Sequence, residues 1–409
     1  MEIENEITII FLIVFINSGG PMKNMIFIST VSDVKFDRDP ITGYEKRLKF
    51  LGKTFNEYFR LLIITPSDVC DKEDVGNNVE KKSFPAFSLI KIKNMRLGTL
   101  LLDVNPIFAF QMLNHIYRRK PDVIIFSFPW GINLIYFLMK IFKKETLLIY
   151  NSHNVESEYS KIIMNDKSIN HLLRRAYAKY IFALERGAVN KCDYVFSVST
   201  ENNKTFINLY DVGPEKIIDI PSGAVIPRNK QDSKREDNMI RIFFHGTYSA
   251  THNREAIDLI KGRIAKRFSG SGNVKFVVAG KGVPEEEDGN FLSLGFINDI
   301  FGYLFRCDIA IVPLENGEGT KLKIFDYMAA GLPIVITKKG AEGIDFTHEK
   351  NAFVTEHVDD NFMKYIDLLV NDKNLRRKIG EKGEQLLNDK YHPDKVKNNL
   401  FDFFDKVLN

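Results

Sequence analysis

The stretch best equipped for chemistry runs from Pro313 to Pro333, PLENGEGTKLKIFDYMAAGLP. An apolar run ends at Pro313 and a glycine-containing loop follows. The spacing then predicts a helix from near Thr320 to Gly331, with Pro333 opening the next strand. A loop of this kind lies at the carboxyl end of an α/β sheet, where such folds bind ligands. Free amides of Gly319, Thr320 and Lys321 at a helix start suit phosphate oxygens, and Lys321 and Lys323 add positive charge. Asp326 would stand roughly 9 Å further down that helix, about the span from a diphosphate to a ribose, whose two hydroxyls a carboxylate can accept. Glu318, on the loop, is left to face a sugar. An ordinary amphipathic helix with a threonine cap and solvated charges is the plainer reading of the same residues.

Other candidates are more scattered. His153 follows an apolar run in Tyr150-Asn151-Ser152-His153-Asn154 and reads either as a substrate contact or as a local hydrogen-bond partner. Gly43, after the first predicted strand, either brings backbone close to a ligand or simply turns the chain. Cys70, Cys192 and Cys307 have no metal-type spacing, and their odd number leaves at least one unpaired, as in a reducing compartment; Cys192 and Cys307, each before an aspartate and an apolar run, read as packed thiols.

The elements that must position these groups alternate short apolar runs with helical patterns, the mark of stacked βαβ units. Strands are expected at 25–29, 61–65, 123–128, 146–150 and 194–199 in the first half, and at 242–245, 274–279, 309–313 and 334–337 in the second. A polar run from Arg228 to Asn238 marks the linker. With 409 residues, 44% apolar and 27% charged, the chain suits two domains with sizeable cores. The net charge of +4 gives no reason to expect a nucleic-acid partner. The basic surplus lies in the first half, much of it beside apolar helices at Tyr117–Lys120, Lys140–Lys144 and His171–Arg175. Such helices suit an anionic membrane surface, and solvated helix faces carry the same pattern. The apolar run from Ile7 to Ile16 is about half a bilayer span and has an acidic start, so neither a span nor a secretory signal is expected there.

The 313–333 block resembles the signature of GT-B glycosyltransferases of the family 4 / family 1 type, whose paired acids have seven residues between them, as Glu318 and Asp326 do. Gly331-Leu332-Pro333 and the strand after it also match. His245-Gly246-Thr247 through Asn253 resembles the glycine turn that opens the family's second domain, and Val278-Ala279-Gly280-Lys281-Gly282 its next one. Tyr150 to Glu156, Val198-Ser199 and Ile220 to Gly223 fall in the family's order.

The resemblance implies an α/β fold of two Rossmann-like domains facing a central cleft: 1–228, completed by a C-terminal helix at 391–409, and 229–390. It implies transfer of a hexose-type sugar from a nucleoside diphosphate sugar to a hydroxyl of a glycan or lipid-linked acceptor, with retention and with no metal or other cofactor. Glu318 would hold donor-sugar hydroxyls, Asp326 the ribose, and His153 would contact the donor sugar across the cleft. Gly43, Gly246, Gly319 and Thr320 would approach the donor with backbone. Two departures stand out. Aspartate replaces the usual second glutamate, and the basic pair that many relatives carry after the glycine turn at Gly246 is absent. Lys321, then Lys281 and Arg254, are the expected substitutes, since a diphosphate leaving without a metal needs its growing charge balanced. A cytoplasmic location at the inner membrane face is the expectation. An epimerase or a non-catalytic nucleotide-sugar-binding protein on the same scaffold are the competing readings.

Overall fold

In a computed structural model of the chain, residues 22–29, 43–66, 79–84, 91–92, 95–96, 101–141, 145–165, 170–227, 237–317 and 319–409 are described. The expectations for the amino terminus, for Cys70, for most of the linker and for Glu318 fall outside these residues. The chain divides into two compact units, one of 1–196, 206–218 and 405–409 and the other of 197–205 and 219–404.

The first unit is built on strands β1 (Asn24–Ser29), β2 (Arg60–Pro66), β3 (Val79–Phe84), β6 (Val123–Ser127), β7 (Leu147–Asn151), β8 (Tyr194–Ser197) and β9 (Ile217–Asp219), in the order β3-β2-β1-β6-β7-β8-β9. A two-residue hairpin pair, β4 (Lys91–Ile92) and β5 (Met95–Arg96), stands apart. The pairs from β3 across to β8 are all parallel. Strands of this kind are covered on both faces, which is why Val123–Ser127 and most of Asn24–Ser29 are buried without alternation. The carboxyl end of the last helix, Pro393–Leu408, also belongs here: Lys23 Nζ donates to Leu408 O at 2.6 Å, and Tyr58 hydrogen-bonds Asp405.

The second unit repeats the plan with β10 (Ile240–His245), β11 (Val274–Ala279), β12 (Glu286–Asp288), β13 (Phe291–Ser293), β14 (Ile309–Val312), β15 (Ile334–Thr337) and β16 (Phe353–Thr355). Their order is β12-β13-β11-β10-β14-β15-β16, parallel except for β12. Phe243, Phe276, Ile309, Ile311, Ile334 and Tyr327 lie at the centre of its core. Both units are therefore α/β with doubly wound sheets. Cys192 and Cys307 are buried, and burial pushes the Cys192 thiol up to about 12, which suits packing and not reactivity. Among the described residues, no helix is long and apolar enough to cross a membrane.

Candidate functional site

In the second unit the chain leaves β10 for β11 on one side and returns to β14 on the other. The carboxyl ends of β10 and β14 therefore part at a topological switch point, where open α/β sheets bind ligands. Three backbone segments meet there. Gly280, just past β11, has φ +153, and a Cβ on it would stand 1.9 Å from Gly246 O. Gly246 N donates to Ala279 O at 2.9 Å and Gly280 N to Gly295 O at 2.7 Å, so neither turn can retreat cheaply. Gly317 (φ +105) and Gly319 (φ +76) carry the loop after β14, and a Cβ on Gly317 would meet His252 Cγ at 2.9 Å. Only glycine permits approaches this close in left-handed backbone.

Those two left-handed glycines also explain a correction. The helix spans Lys323–Ala329, with Leu322 as its N-cap, so it starts three residues later than the spacing predicts. Asp326 accordingly lies in its first turn. Thr320 is not a cap, and its buried Oγ1 makes no hydrogen bond among the described residues.

The charged groups fall into two sets. Asp326 is buried, with Oδ2 3.6 Å from His245 Nε2, while the His245 amide donates to the Tyr327 phenol oxygen at 2.9 Å. Lys323 Nζ donates to Asn253 Oδ1 at 2.6 Å and lies 4.2 Å above the Phe244 ring. Burial, and then the neighbouring Lys321, pulls the Lys323 ammonium down to about 7, with Asp326 acting against the shift. His252 is held below its usual range by burial first and then by Lys323 and Lys321. Lys321 is buried and engaged, with its Nζ at 3.2 Å from Gly317 O and 3.3 Å from Glu342 Oε2. Arg254 lies over the Tyr248 ring at 6.0 Å, and Lys281 is exposed. Gly246, Gly319, Thr320, Lys321 and Asp326 thus belong to one neighbourhood, while Arg254 and Lys281 stand on its margin. An open cleft of about 410 Å³ beside them is lined by Glu315, Lys338, Lys339, Glu342, Glu356 and His357.

Gly43 and His153 belong to the first unit. Gly43 is exposed at the start of the helix Gly43–Tyr58. His153 packs edge-on against Tyr44, with centroids 4.4 Å apart, and lies 5.2 Å from the Phe128 ring. Burial, reinforced by Arg47, holds its imidazole neutral, well below the usual histidine range. Phe128 has φ 85, a conformation bulky residues adopt only under constraint and one that gathers at functional sites. The turn carrying His153 is anchored by a buried carboxylate. Glu185 accepts from Tyr150 Oη (3.0 Å), the amides of Glu156 (2.9 Å) and Ser157 (2.8 Å), Ser157 Oγ (2.8 Å) and Tyr210 Oη (2.6 Å).

Gly280, Asn253 and Lys323 take a larger part in the site than their motifs alone suggest, and Glu185 and Phe128 join the first-unit residues without any mark in the sequence. The first three sit in motifs whose glycine spacing was visible. The last two left no signal, because a buried glutamate inside a long helix and a strained phenylalanine look ordinary in sequence.

Two family models match the chain: one described as Glycosyl transferases group 1 over residues 240–372, and one as Glycosyltransferase Family 4 over residues 60–226. No curated protein matches it. Among solved structures, sucrose-phosphate synthase from Thermosynechococcus elongatus superposes with a TM-score of 0.70 at 14% identity, covering 94% of this chain and 99% of that one. Anabaena HepE in complex with UDP gives 0.65 at 13%, covering 94% and 100%. WaaG, a glycosyltransferase involved in lipopolysaccharide biosynthesis, gives 0.58 at 14%, covering 91% and 98%. At these identities the likeness is one of fold. Taken with the two family models, which divide most of the chain between them, it places this protein among the GT-B glycosyltransferases of the family 1 / family 4 type.

Proposed function

We propose that the protein transfers a hexose-type sugar, with retention, from a nucleoside diphosphate sugar to a hydroxyl of a glycan or lipid-linked acceptor. One observation carries the reading: glycine turns at 246, 280 and 317–319 bring three backbones together at the β10/β14 switch point, beside two lysines and a buried aspartate. Backbone of this kind suits a diphosphate, and an acid nearby suits a ribose. HepE, which shares the fold, has been solved with UDP and with UDP-glucose, which supports a nucleotide sugar as donor.

In this reading Gly246, Gly319, Thr320 and Lys321 meet the diphosphate, with Arg254 and Lys281 at its edge. Asp326 accepts the ribose hydroxyls, and Glu318 holds the sugar hydroxyls. Gly43 offers backbone, and the neutral His153 a hydrogen bond to a sugar hydroxyl. The bond from the anomeric carbon to the diphosphate oxygen breaks, and its electron pair leaves with the diphosphate. The acceptor oxygen bonds to the same face of that carbon, and its proton passes to the departing phosphate oxygen. No side-chain nucleophile and no metal enters this scheme.

A membrane-proximal acceptor is supported by exposed apolar side chains at Ile107, Phe110 and Tyr117, at Phe137 and Ile141, and at Leu172 and Leu173, with Arg118, Lys140 and Arg174 close to them in sequence. Sedimentation with phosphatidylglycerol vesicles and not with phosphatidylcholine vesicles checks this.

The activity is tested with purified protein, UDP-, GDP- and ADP-sugars and a panel of glycan and lipid-linked acceptors. Transfer with retained anomeric configuration is expected, and no transfer by folded protein overturns the proposal. Donor consumed without acceptor points to an epimerase, and nucleotide binding unchanged by Glu318→Ala, without turnover, to a non-catalytic binder.

A further inference from the structure

The chain lacks the basic pair expected after the glycine turn at Gly246, and three other cations near the site leave that turn itself uncovered. Lys321 is already bound to Gly317 O and Glu342, Arg254 covers Tyr248, and Lys281 faces solvent. Lys323 is different. It arrives from the opposite side of the switch point, and its Nζ lies 2.8 Å from where a Cβ on Gly246 would stand. The missing side chain at Gly246 is the space its ammonium uses.

Two neighbours hold it there. Asn253 Nδ2 donates to Thr247 O at 3.1 Å, which turns its Oδ1 toward Lys323 at 2.6 Å. The Phe244 ring lies beneath the ammonium at 4.2 Å, a cation–π contact. An ammonium has three N–H donors, and among the described residues its one hydrogen bond goes to Asn253. Donor capacity therefore remains at the glycine turn.

We propose that Lys323 is the cation that neutralises the departing diphosphate, replacing from the β14 side the basic pair that the Gly246 turn lacks. This deepens the donor reading above and rests on it. The charged and titratable groups facing Lys323 are Lys321 and Asp326 on its own segment, His252 on the helix Thr251–Leu259, and His245 at the end of β10. Burial and then Lys321 disfavour its charge, so a diphosphate that supplies negative charge draws a proton onto it. His252 is likewise held below its usual range, by burial first and then by Lys323 and Lys321, and the Lys323 variants below retain it, so they separate its proton from that of Lys323.

Calorimetry at pH 8 with UDP, GDP and ADP, in two buffers of different ionisation heat, tests this on wild type, Lys323→Met and Lys323→Arg. For whichever diphosphate binds, wild type is expected to take up close to one proton. The diphosphate is itself fully ionised at that pH. Lys323→Met is expected to lose about 10- to 100-fold in affinity for the diphosphate, the range of a lost hydrogen bond to a charged group. It should lose far less for the matching monophosphate, and it should take up no proton. Lys323→Arg should bind without proton uptake, which reads the same residue if the methionine variant does not fold. Wild type that binds with no proton uptake, a methionine variant of undiminished diphosphate affinity, or undiminished uptake by the arginine variant overturns the inference while leaving the donor reading intact. Wild type that binds none of the three diphosphates overturns the donor reading itself.

Discussion

Gly280→Ala probes the glycine whose added Cβ would come closest to backbone among the described residues. The new Cβ would lie 1.9 Å from Gly246 O and 2.7 Å from Gly246 C, both backbone atoms. Residues other than glycine also avoid φ +153, at a cost of about 1–3 kcal/mol. Relieving the clash requires a shift of roughly 1 Å in one turn, a strain of about 1–3 kcal/mol. That shift disturbs the hydrogen bonds from Gly246 N to Ala279 O and from Gly280 N to Gly295 O. Together these give a loss of about 2–6 kcal/mol, or a fall of roughly 4–24 °C in the melting temperature of a unit this size. Gly270→Ala is the matched control: a Cβ there meets nothing within 4 Å, so a change within about 0.5 kcal/mol is expected. Thermal and urea melts of the three proteins, followed by circular dichroism, give the comparison. A Gly280→Ala protein that melts with wild type and Gly270→Ala refutes the idea that the two glycine turns are held in mutual contact.

Lys323→Met is expected to stabilise the fold even as it weakens ligand. Between pH 7 and 10.5 the unfolded chain carries a proton that the folded chain does not, so wild-type stability rises with pH through that window and the cost of Lys323 is greatest below pH 7. The variant should gain about 2 kcal/mol at pH 6, a figure discounted for the residue's partial exposure, and the gain should shrink toward pH 10 in urea melts. In the first unit, burial and the Glu185 charge raise the Glu156 carboxyl well above its usual range. Its contribution to stability is thus full below the ordinary carboxylate range and is lost as pH climbs through the raised value. Melts from pH 5 to 8 should show Glu156→Gln gaining on wild type as pH rises, and parallel curves would contradict this. Asp326→Asn should weaken nucleoside diphosphate binding about tenfold by calorimetry, and unchanged affinity would assign the ribose elsewhere.

Much of this architecture is written in the apolar runs. Val274–Ala279 and Ile334–Thr337 form the strands predicted for them, because a strand covered on both faces shows an unbroken apolar run. Edge strands carry no such mark. Glu286–Asp288 is entirely exposed and Val79–Phe84 is largely polar, so neither was foreseen. In the candidate site the glycines were legible, and so was the spacing that pointed to Asp326. What the sequence hid was the handedness of Gly317 and Gly319, which delays the helix to Lys323 and turns that lysine across the switch point toward Gly246. Helical spacing gives the order of side chains along one element. It does not tell which strand end a long side chain will reach.

The claim on which the rest depends is that a nucleoside diphosphate binds at the β10/β14 switch point of the second unit. A crystal structure of the protein with the UDP-, GDP- or ADP-sugar that raises its melting temperature most tests this directly. The account predicts phosphate oxygens against the backbone of Gly246 and of Gly319 and Thr320, with the ribose toward Asp326. Nucleotide bound away from those turns, or phosphate density over the cleft of Lys338 and Glu356 instead, would contradict it.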